Sequence, residues 1–230
     1  MVSGIIKTER EITEPVDLCL PNGRLNPAAV GWTRKPLHRA NLSGWGRNKR
    51  FEYWCITTPE IVVALNVSHG DYRVTLATFF LDHTRLQAFS EAEIHWLPSH
   101  DRVPAMPERS GIGQTIGNGD RMQIAMRSES GTTSLQARTD RLTIELEVLE
   151  PPNHESMGVV VPWSSRRFQY TRKDNCLPVR GSVIADGVSY AVDTQTAYAT
   201  LDHGRGRWPY AITWNWASAS GRCHGREIGL

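Results

Sequence analysis

Long apolar runs are missing from this chain of 230 residues, and none approaches the ~20 residues that a membrane-crossing helix needs. A one-signed charge excess is missing too. The 26 Lys and Arg against 24 Asp and Glu leave a net charge of +2, too even for a dedicated nucleic-acid binder. Cysteines are few: four, at positions 19, 55, 176 and 223, with no two close enough for a Cys-x-x-Cys metal or redox motif. They read as separate free thiols of a reducing compartment. Met1 to Arg10 contain no charged start leading into an apolar stretch, so no secretory signal is visible and a cytoplasmic location is expected. The triplets Asn41-Leu42-Ser43 and Asn66-Val67-Ser68 then carry no glycosylation meaning. There is no Gly-x-Ser-x-Gly elbow for a hydrolase. The eight histidines form no His-x-His or His-Glu-x-x-His pair, and His95 and His100, flanking a proline turn, read as surface residues. Gly111-Ile112-Gly113-Gln114-Thr115-Ile116-Gly117 has its last glycine one place late for a dinucleotide loop, and neither a strand before it nor a helix after it. No metal and no cofactor is called for.

What is present is strand. Hydrophobic residues make up 40% and charged residues 22%, the balance of an ordinary globular chain. In Leu142-Thr143-Ile144-Glu145-Leu146-Glu147-Val148 every second residue is apolar, the period of a half-buried strand. Met122 to Arg127 repeats this less strictly, and Phe51 to Ile56 and Tyr72 to Leu76 are rich in aromatic and β-branched residues. Asp186-Gly187 between two apolar stretches signals a two-residue hairpin, whose turn needs positive φ at both central residues. Asn118-Gly119 and Ser128 to Gly131 read as further turns. Ser90-Glu91-Ala92-Glu93 has the form of a helix capping box, cut short by Pro98.

Pro151-Pro152-Asn153 is the best candidate boundary. The expected organisation is an N-terminal extension over 1–40, a first antiparallel β domain over 41–155 and a second over 156–230. Leu81-Asp82-His83-Thr84-Arg85 and Leu201-Asp202-His203-Gly204-Arg205 share four of five residues, a weak sign of related halves. Glu227-Ile228-Gly229-Leu230 reads as the opening of a strand that lacks its neighbour, so the second domain is expected to be incomplete.

The segment after Trp163 is the most unusual. From Trp163 to Leu230 there are nine Lys or Arg against five Asp or Glu, and half of the eight tryptophans: Trp163, Trp208, Trp214 and Trp216. Read as a strand, Ile212 to Trp216 places Ile212 and both indoles on one face, with Thr213 and Asn215 on the other. Before it, Asp202 to Tyr210 reads as a glycine-loosened turn holding Asp202, His203, Arg205 and Arg207. As core and turn residues these are unremarkable: indoles fill cores, and Asp202 caps turns. As a site, a sheet lined with indoles is an apolar pocket, and Arg205 and Arg207 at its mouth suit a ligand's acidic head. An aspartic acid beside indoles can stay protonated and donate its proton to an alkene, with Trp π faces stabilising the resulting cation. Arg166-Arg167 and Arg172-Lys173 alternate with Phe168 and Tyr170, which loosely suits single-stranded nucleic acid. A strand with one charged face accounts for the same residues, so no nucleic-acid partner is expected.

Several stretches carry a resemblance to a known family. They are Gly31-Trp32-Thr33-Arg34, Arg50-Phe51-Glu52-Tyr53-Trp54, Arg167 to Asp174 with Leu177-Pro178-Val179, Asp202 to Tyr210, and Thr213 to Ser218. In these the chain resembles the bacterial and fungal family known as domain of unknown function 2804. More distantly it is similar to the lipocalin-like carotenoid hydratases (hydroxyneurosporene synthase) and tocopherol cyclases. The resemblance implies an all-β, antiparallel, lipocalin-like (calycin-like) barrel or sandwich, two such domains in tandem, and an apolar ligand, fatty or isoprenoid. Three readings stay open. The leading one is a binder that holds a lipophilic molecule in a barrel cavity of the second half, lined by Trp163, Tyr170, Arg205, Arg207, Trp208, Trp214, Asn215 and Trp216. The second is a hydratase, cyclase or isomerase with Asp202 as general acid and His203 beside it. The third is a structural or partner-binding module. No integral membrane contact is expected, and the oligomeric state is left open.

Overall fold

Where every second residue is apolar, the chain forms antiparallel strands with one face turned inward. The computed structural model describes residues 9–99 and 101–230. Three two-residue strands come first, β1 (Val16–Asp17), β2 (Trp32–Thr33) and β3 (His38–Arg39), with a 3-10 turn at Pro27–Ala29. A meander follows: β4 (Lys49–Thr57), β5 (Ile61–His69), β6 (Arg73–Asp82) and β7 (Gln87–Trp96). A second meander holds β8 (Gly113–Asn118), β9 (Gln123–Glu129), β10 (Thr132–Arg138) and β11 (Leu142–Leu149). Then come β12 (Met157–Ser164), the long β13 (Arg167–Ala185), β14 (Val188–Val192) and β15 (Tyr198–Arg207). A hairpin of β16 (Ser220–Cys223) and β17 (Arg226–Gly229) ends the series. No helix among the described residues is long and apolar enough to cross a membrane.

The main sheet runs β7-β6-β5-β4-β15-β13-β11-β10-β9-β8, with β12 and β14 paired to opposite halves of β13 and β2 paired to β12. The strands on either side of Pro151-Pro152-Asn153 share one sheet: β15 pairs with β4 and β13 with β11. β13 changes partners along its length. Residues 168–178 pair with β15 and residues 179–185 with β11, around an irregularity at 174–177 where Cys176 takes φ +56°. At Gly181 (φ +135°) a Cβ would come 2.1 Å from the Glu145 carbonyl oxygen, so only glycine lets β13 lie this close to β11.

These pairings curl the sheet into an antiparallel half-barrel whose inner face is mainly apolar. Ile56, Leu65 and Leu76 of the first meander share one core with Ile124, Leu135, Ile144 and Leu146 of the second, and with Leu177, Val179 and Leu201 between them. Burying each aliphatic side chain stabilises the fold by roughly 1.5–3 kcal/mol. Leu142, Ile144, Leu146 and Val148 all face inward, as their alternation requires. The outermost strands meet through a side chain: Glu93 on β7 accepts from the amides of Asp120 and Arg121 in the β8–β9 turn. The N-terminal strands pack a smaller core, Leu18, Leu25 and Ala29 with Val160, Phe168 and Tyr170.

The hairpin at Asp186-Gly187 forms with both residues at positive φ, and so does the turn at Ser130-Gly131. Four local expectations give way. Ser90 to Glu93 lies in β7, in register with β6, and Glu93 caps a turn instead of a helix amide. Residues 202–207, expected as a turn, are central β15. Ile212 to Trp216 runs unpaired over the sheet, with no strand beside it to ladder with. Glu227 to Gly229 has a neighbour after all: it pairs with β16 around His224-Gly225, both at positive φ. The Leu81–Arg85 echo divides as well. Asp82 caps the β6–β7 turn by accepting from the amides of Thr84 and Arg85, whereas its counterpart Asp202 lies mid-strand.

Candidate functional site

The strand period sends neighbouring residues of β15 to opposite faces. His203, Arg205 and Arg207 share the inward side with Leu201, while Asp202, Gly204 and Gly206 face outward. Across three strands this builds ordered rows on the inner face. Arg172, His203 and Glu52 stand in one row, Tyr170, Arg205 and Arg50 in the next, and Asp174, Leu201 and Trp54 in the row on the other side.

The inner rows form a buried charged cluster. Glu52 accepts from Thr115 Oγ1 at 2.8 Å and from Trp54 Nε1 at 3.2 Å. Burial opposes its charge, but His203, Arg205 and the Thr115 hydroxyl outweigh that and hold the carboxyl at about 2. His203 Nδ1 lies 3.8 Å from Glu52 Oε2, too far for a hydrogen bond. Burial, then the Arg205 cation, push His203 down to about 4, so the imidazole is neutral at pH 7. Burial also lowers Arg205 to about 10, yet it remains a cation, donating to the carbonyls of Phe51 (2.7 Å), Gly204 (3.0 Å) and Pro107 (3.3 Å). Arg172 pairs with Asp174 at 2.8 Å, and Asp174 with His154 at 3.1 Å. Tyr170 packs at a tilt against His38, ring centres 4.6 Å apart, and burial raises its phenol to about 12. The enclosed space beside Glu52, Ser110, Arg172 and Asp174 measures only 20 Å³, room for one water. Among the described residues, the space beside this charged cluster on the inner face is therefore too small for the ligand-sized cavity expected from the sequence.

The open space lies on the outer face. After β15 the chain turns back at Trp208 and Pro209 and crosses β4, β15 and β13 before the β16–β17 hairpin. Asn175, in the β13 irregularity, fixes the far end of this crossing by donating to the carbonyls of Ala219 (2.9 Å) and Leu230 (2.7 Å). Between the crossing segment and the sheet is a hollow of 480 Å³, walled by Phe51, Tyr53, Trp208, Trp214 and Trp216, with Asn66, Gln169 and Asn215 supplying amides. Gly204 makes its floor possible, since a Cβ there would lie 2.1 Å from the Phe51 ring. Trp208 meets Phe51 and Trp214 edge-on, each at 5.8 Å, and Trp216 meets Tyr53 edge-on at 6.0 Å. At one end Asp202 pairs with Lys173 at 2.7 Å and accepts from Thr171 Oγ1 at 3.1 Å. At the other, the Lys49 ammonium stands 3.7 Å from the centre of the Trp208 ring. Burial, then Arg73, lower the Lys49 pKa, and among the described residues no carboxylate pairs with it. A second hollow of 550 Å³ adjoins the first and shares Lys49, Ser68, Trp208 and Trp214 with it.

The structure thus gathers five of the residues singled out in the sequence, Asp202, Trp208, Trp214, Asn215 and Trp216, around one groove. It separates the others from them. His203, Tyr170 and Arg205 lie on the inner face. Arg207 reaches the N-terminal segment, donating to Asn48 Oδ1 and to the carbonyls of Gly23 and Ser43, so neither arginine stands at the groove's mouth. Trp163, on β12, lines neither hollow. His95 is half-buried against Glu93 at 3.1 Å rather than on the surface, and His100 lies outside the described residues. Sequence reasoning missed Lys49, Lys173 and the buried Glu52, Arg172 and Asp174. A signal for the last three was available: Glu52 alternates with Trp54 and Ile56, and Arg172 and Asp174 with Phe168 and Tyr170, which puts charges on an apolar face.

Residues 9–230 match the model of the family described as Domain of unknown function (DUF2804). The chain belongs to this family. No curated protein matches this DUF2804 member. Among solved structures it is similar to a protein described as AttH from Nitrosomonas europaea, with 12% identity and a TM-score of 0.49 over 71% of this chain and 52% of that one. It is also similar to kievitone hydratase from Nectria haematococca, with 13% identity and a TM-score of 0.49 over 72% of this chain and 49% of that one. The DUF2804 chain spans about half the length of each.

Proposed function

We propose that this DUF2804 chain binds a lipophilic small molecule, fatty or isoprenoid, in the outer groove over β4, β15 and β13. The observation that carries the reading is the aromatic wall of Phe51, Tyr53, Trp208, Trp214 and Trp216 around 480 Å³ of open space, with Trp214 and Trp216 themselves exposed. Covering exposed indoles with an apolar ligand is favourable by about 25 cal/mol per Å² buried. The volume is that of an ordinary small-molecule site, and the few amides in its lining suit orientation of a hydroxyl or carbonyl. Acid catalysis by Asp202 is the weaker reading, because its partners Lys173 and Thr171 both donate, an arrangement that serves a carboxylate rather than a proton donor. Titrating intrinsic tryptophan fluorescence with a long-chain fatty acid and with an isoprenoid alcohol tests the proposal. Saturable binding is expected, weakened at least about tenfold in Trp214→Ala and Trp216→Ala. Binding indifferent to both substitutions would move the ligand elsewhere.

A further inference from the structure

The second hollow differs from the groove in charge. Its lining holds three cations, Arg47, Lys49 and Arg73, and no carboxylate. Asp71, next to it in sequence, is turned away: it accepts from the amides of Arg47 and Asn48 and pairs with Arg50. Around this basic hollow stand large apolar side chains in water, Trp45 (72% exposed), Trp96 (66%), Leu97 (74%) and Tyr210 (90%). They form one patch. Trp45 meets Tyr72 edge-on at 6.4 Å, Tyr72 stacks on Trp96 at 6.3 Å, and the Leu97 amide donates to the Tyr72 carbonyl. Leu97 is held at φ +47°, a region leucine seldom adopts, so backbone strain is accepted where an exposed leucine projects from the end of β7.

From the patch and its charge we propose that this rim is a docking surface for an anionic lipid bilayer. Trp and Tyr favour the headgroup layer, an aliphatic tip favours the acyl region beneath, and unpaired Arg and Lys meet lipid phosphates. A single-stranded nucleic acid would need free ring faces to stack bases. Here Tyr72 and Trp96 each cover one face of the other, and the Arg47 guanidinium lies 3.6 Å above one face of the Tyr210 ring. Because the hollow shares Lys49, Trp208 and Trp214 with the groove, docking sets the groove's entrance against the membrane, and an apolar ligand passes between them without crossing water. That last step rests on the groove reading; the docking does not.

Cosedimentation of the full chain with vesicles of phosphatidylcholine alone, and with about one-third phosphatidylglycerol, tests the rim. The chain should pellet with the anionic vesicles and be released by salt. Arg47→Glu combined with Arg73→Glu should lower the partition constant at least about tenfold, and Trp96→Ser combined with Leu97→Ser should do likewise with an unchanged melting curve. If the charge-reversed chain fails to fold, the Trp96/Leu97 pair and the salt dependence decide. Equal partitioning onto neutral and anionic vesicles, indifference to both pairs, or displacement by single-stranded RNA overturns the proposal. A chain that binds the fluorescent-titration ligands in vesicle-free buffer yet ignores vesicles overturns the rim alone. Vesicle binding without ligand binding keeps the rim and overturns the groove.

Discussion

Asp202 and His203 are joined by one peptide bond and belong to different environments: the carboxylate meets Lys173 at 2.7 Å on the outer face, while the imidazole lies 3.8 Å from Glu52 on the inner one. Substitutions at the two positions should therefore produce unrelated effects, one on the groove and one on the stability of the sheet.

Asp202 and Asp82, matching positions of the repeated Leu-Asp-His, allow a direct comparison. Asp82 is buried and accepts from the amides of Thr84 and Arg85, from Thr84 Oγ1 and from Tyr190 Oη. Asp82→Ala leaves these donors unpaired and should cost about 2–4 kcal/mol. Asp202→Ala removes one partly exposed ion pair and should cost about 1 kcal/mol or less. Urea denaturation of the two variants checks the order, and equal losses would count against it.

His203 makes the fold acid-sensitive. Its pKa is lowered by burial from 6.5 to about 4, so the unfolded chain takes up this proton first, and stability falls as pH drops from 6.5 towards 4. The full loss from this one group is on the order of 3 kcal/mol. Burial lowers His38 and His69 in the same direction, and Glu52 extends the loss below pH 4.5. Melting temperature measured against pH should show this slope, and His203→Gln should flatten it between pH 6.5 and 4. A variant as steep as the parent assigns the slope to other groups.

Glu52 is the anion that balances the inner cluster. Glu52→Gln keeps its size and can still accept from Trp54, with its amide nitrogen turned as a donor to the Thr115 hydroxyl, but leaves the buried Arg205 without a facing charge. The expected cost is about 3–5 kcal/mol, measured as a lower denaturation midpoint. A change within a few tenths of a kcal/mol would show that Arg205 is satisfied by its three carbonyls alone.

Gly204→Ala tests how the groove is floored. Its Cβ would lie 2.1 Å from the Phe51 ring, which lines the groove and would have to shift. Overpacking of this kind costs about 1–3 kcal/mol, and ligand affinity should fall with it. Stability and affinity both unchanged would mean that Phe51 has another place to go.

Much of the sheet is legible in the sequence because strand alternation is a local property. Leu142 to Val148 shows its inward face directly, and Asp186-Gly187 shows its turn. Ser90 to Glu93 misleads because pairing with β6 outweighs a capping preference worth little without a helix to cap. Trp214 and Trp216 are legible as a paired aromatic face, but the strand read through them is not formed, since alternation cannot reveal a missing partner. The site is legible by composition and not by position. Asp202, Trp208 and Trp216 do line one groove, while His203 and Arg205, nearer to Asp202 in sequence than any tryptophan, are carried to the other face by the period of two. Lys49 and Lys173 come to the groove from β4 and β13, and only the register of β15 between them brings them there.

The place of β13 and β15 in the sheet also sets the order in which it can be completed. Each meander can pair locally as it leaves the ribosome, but β4 and β11 keep an open edge until residues 167–207 arrive to fill the gap between them. The sheet is closed last at its centre, by contacts distant in sequence, which makes folding slow and leaves two sticky edges exposed during synthesis. A chain interrupted between β11 and β13 would present both edges permanently, and self-association through them is its natural fate.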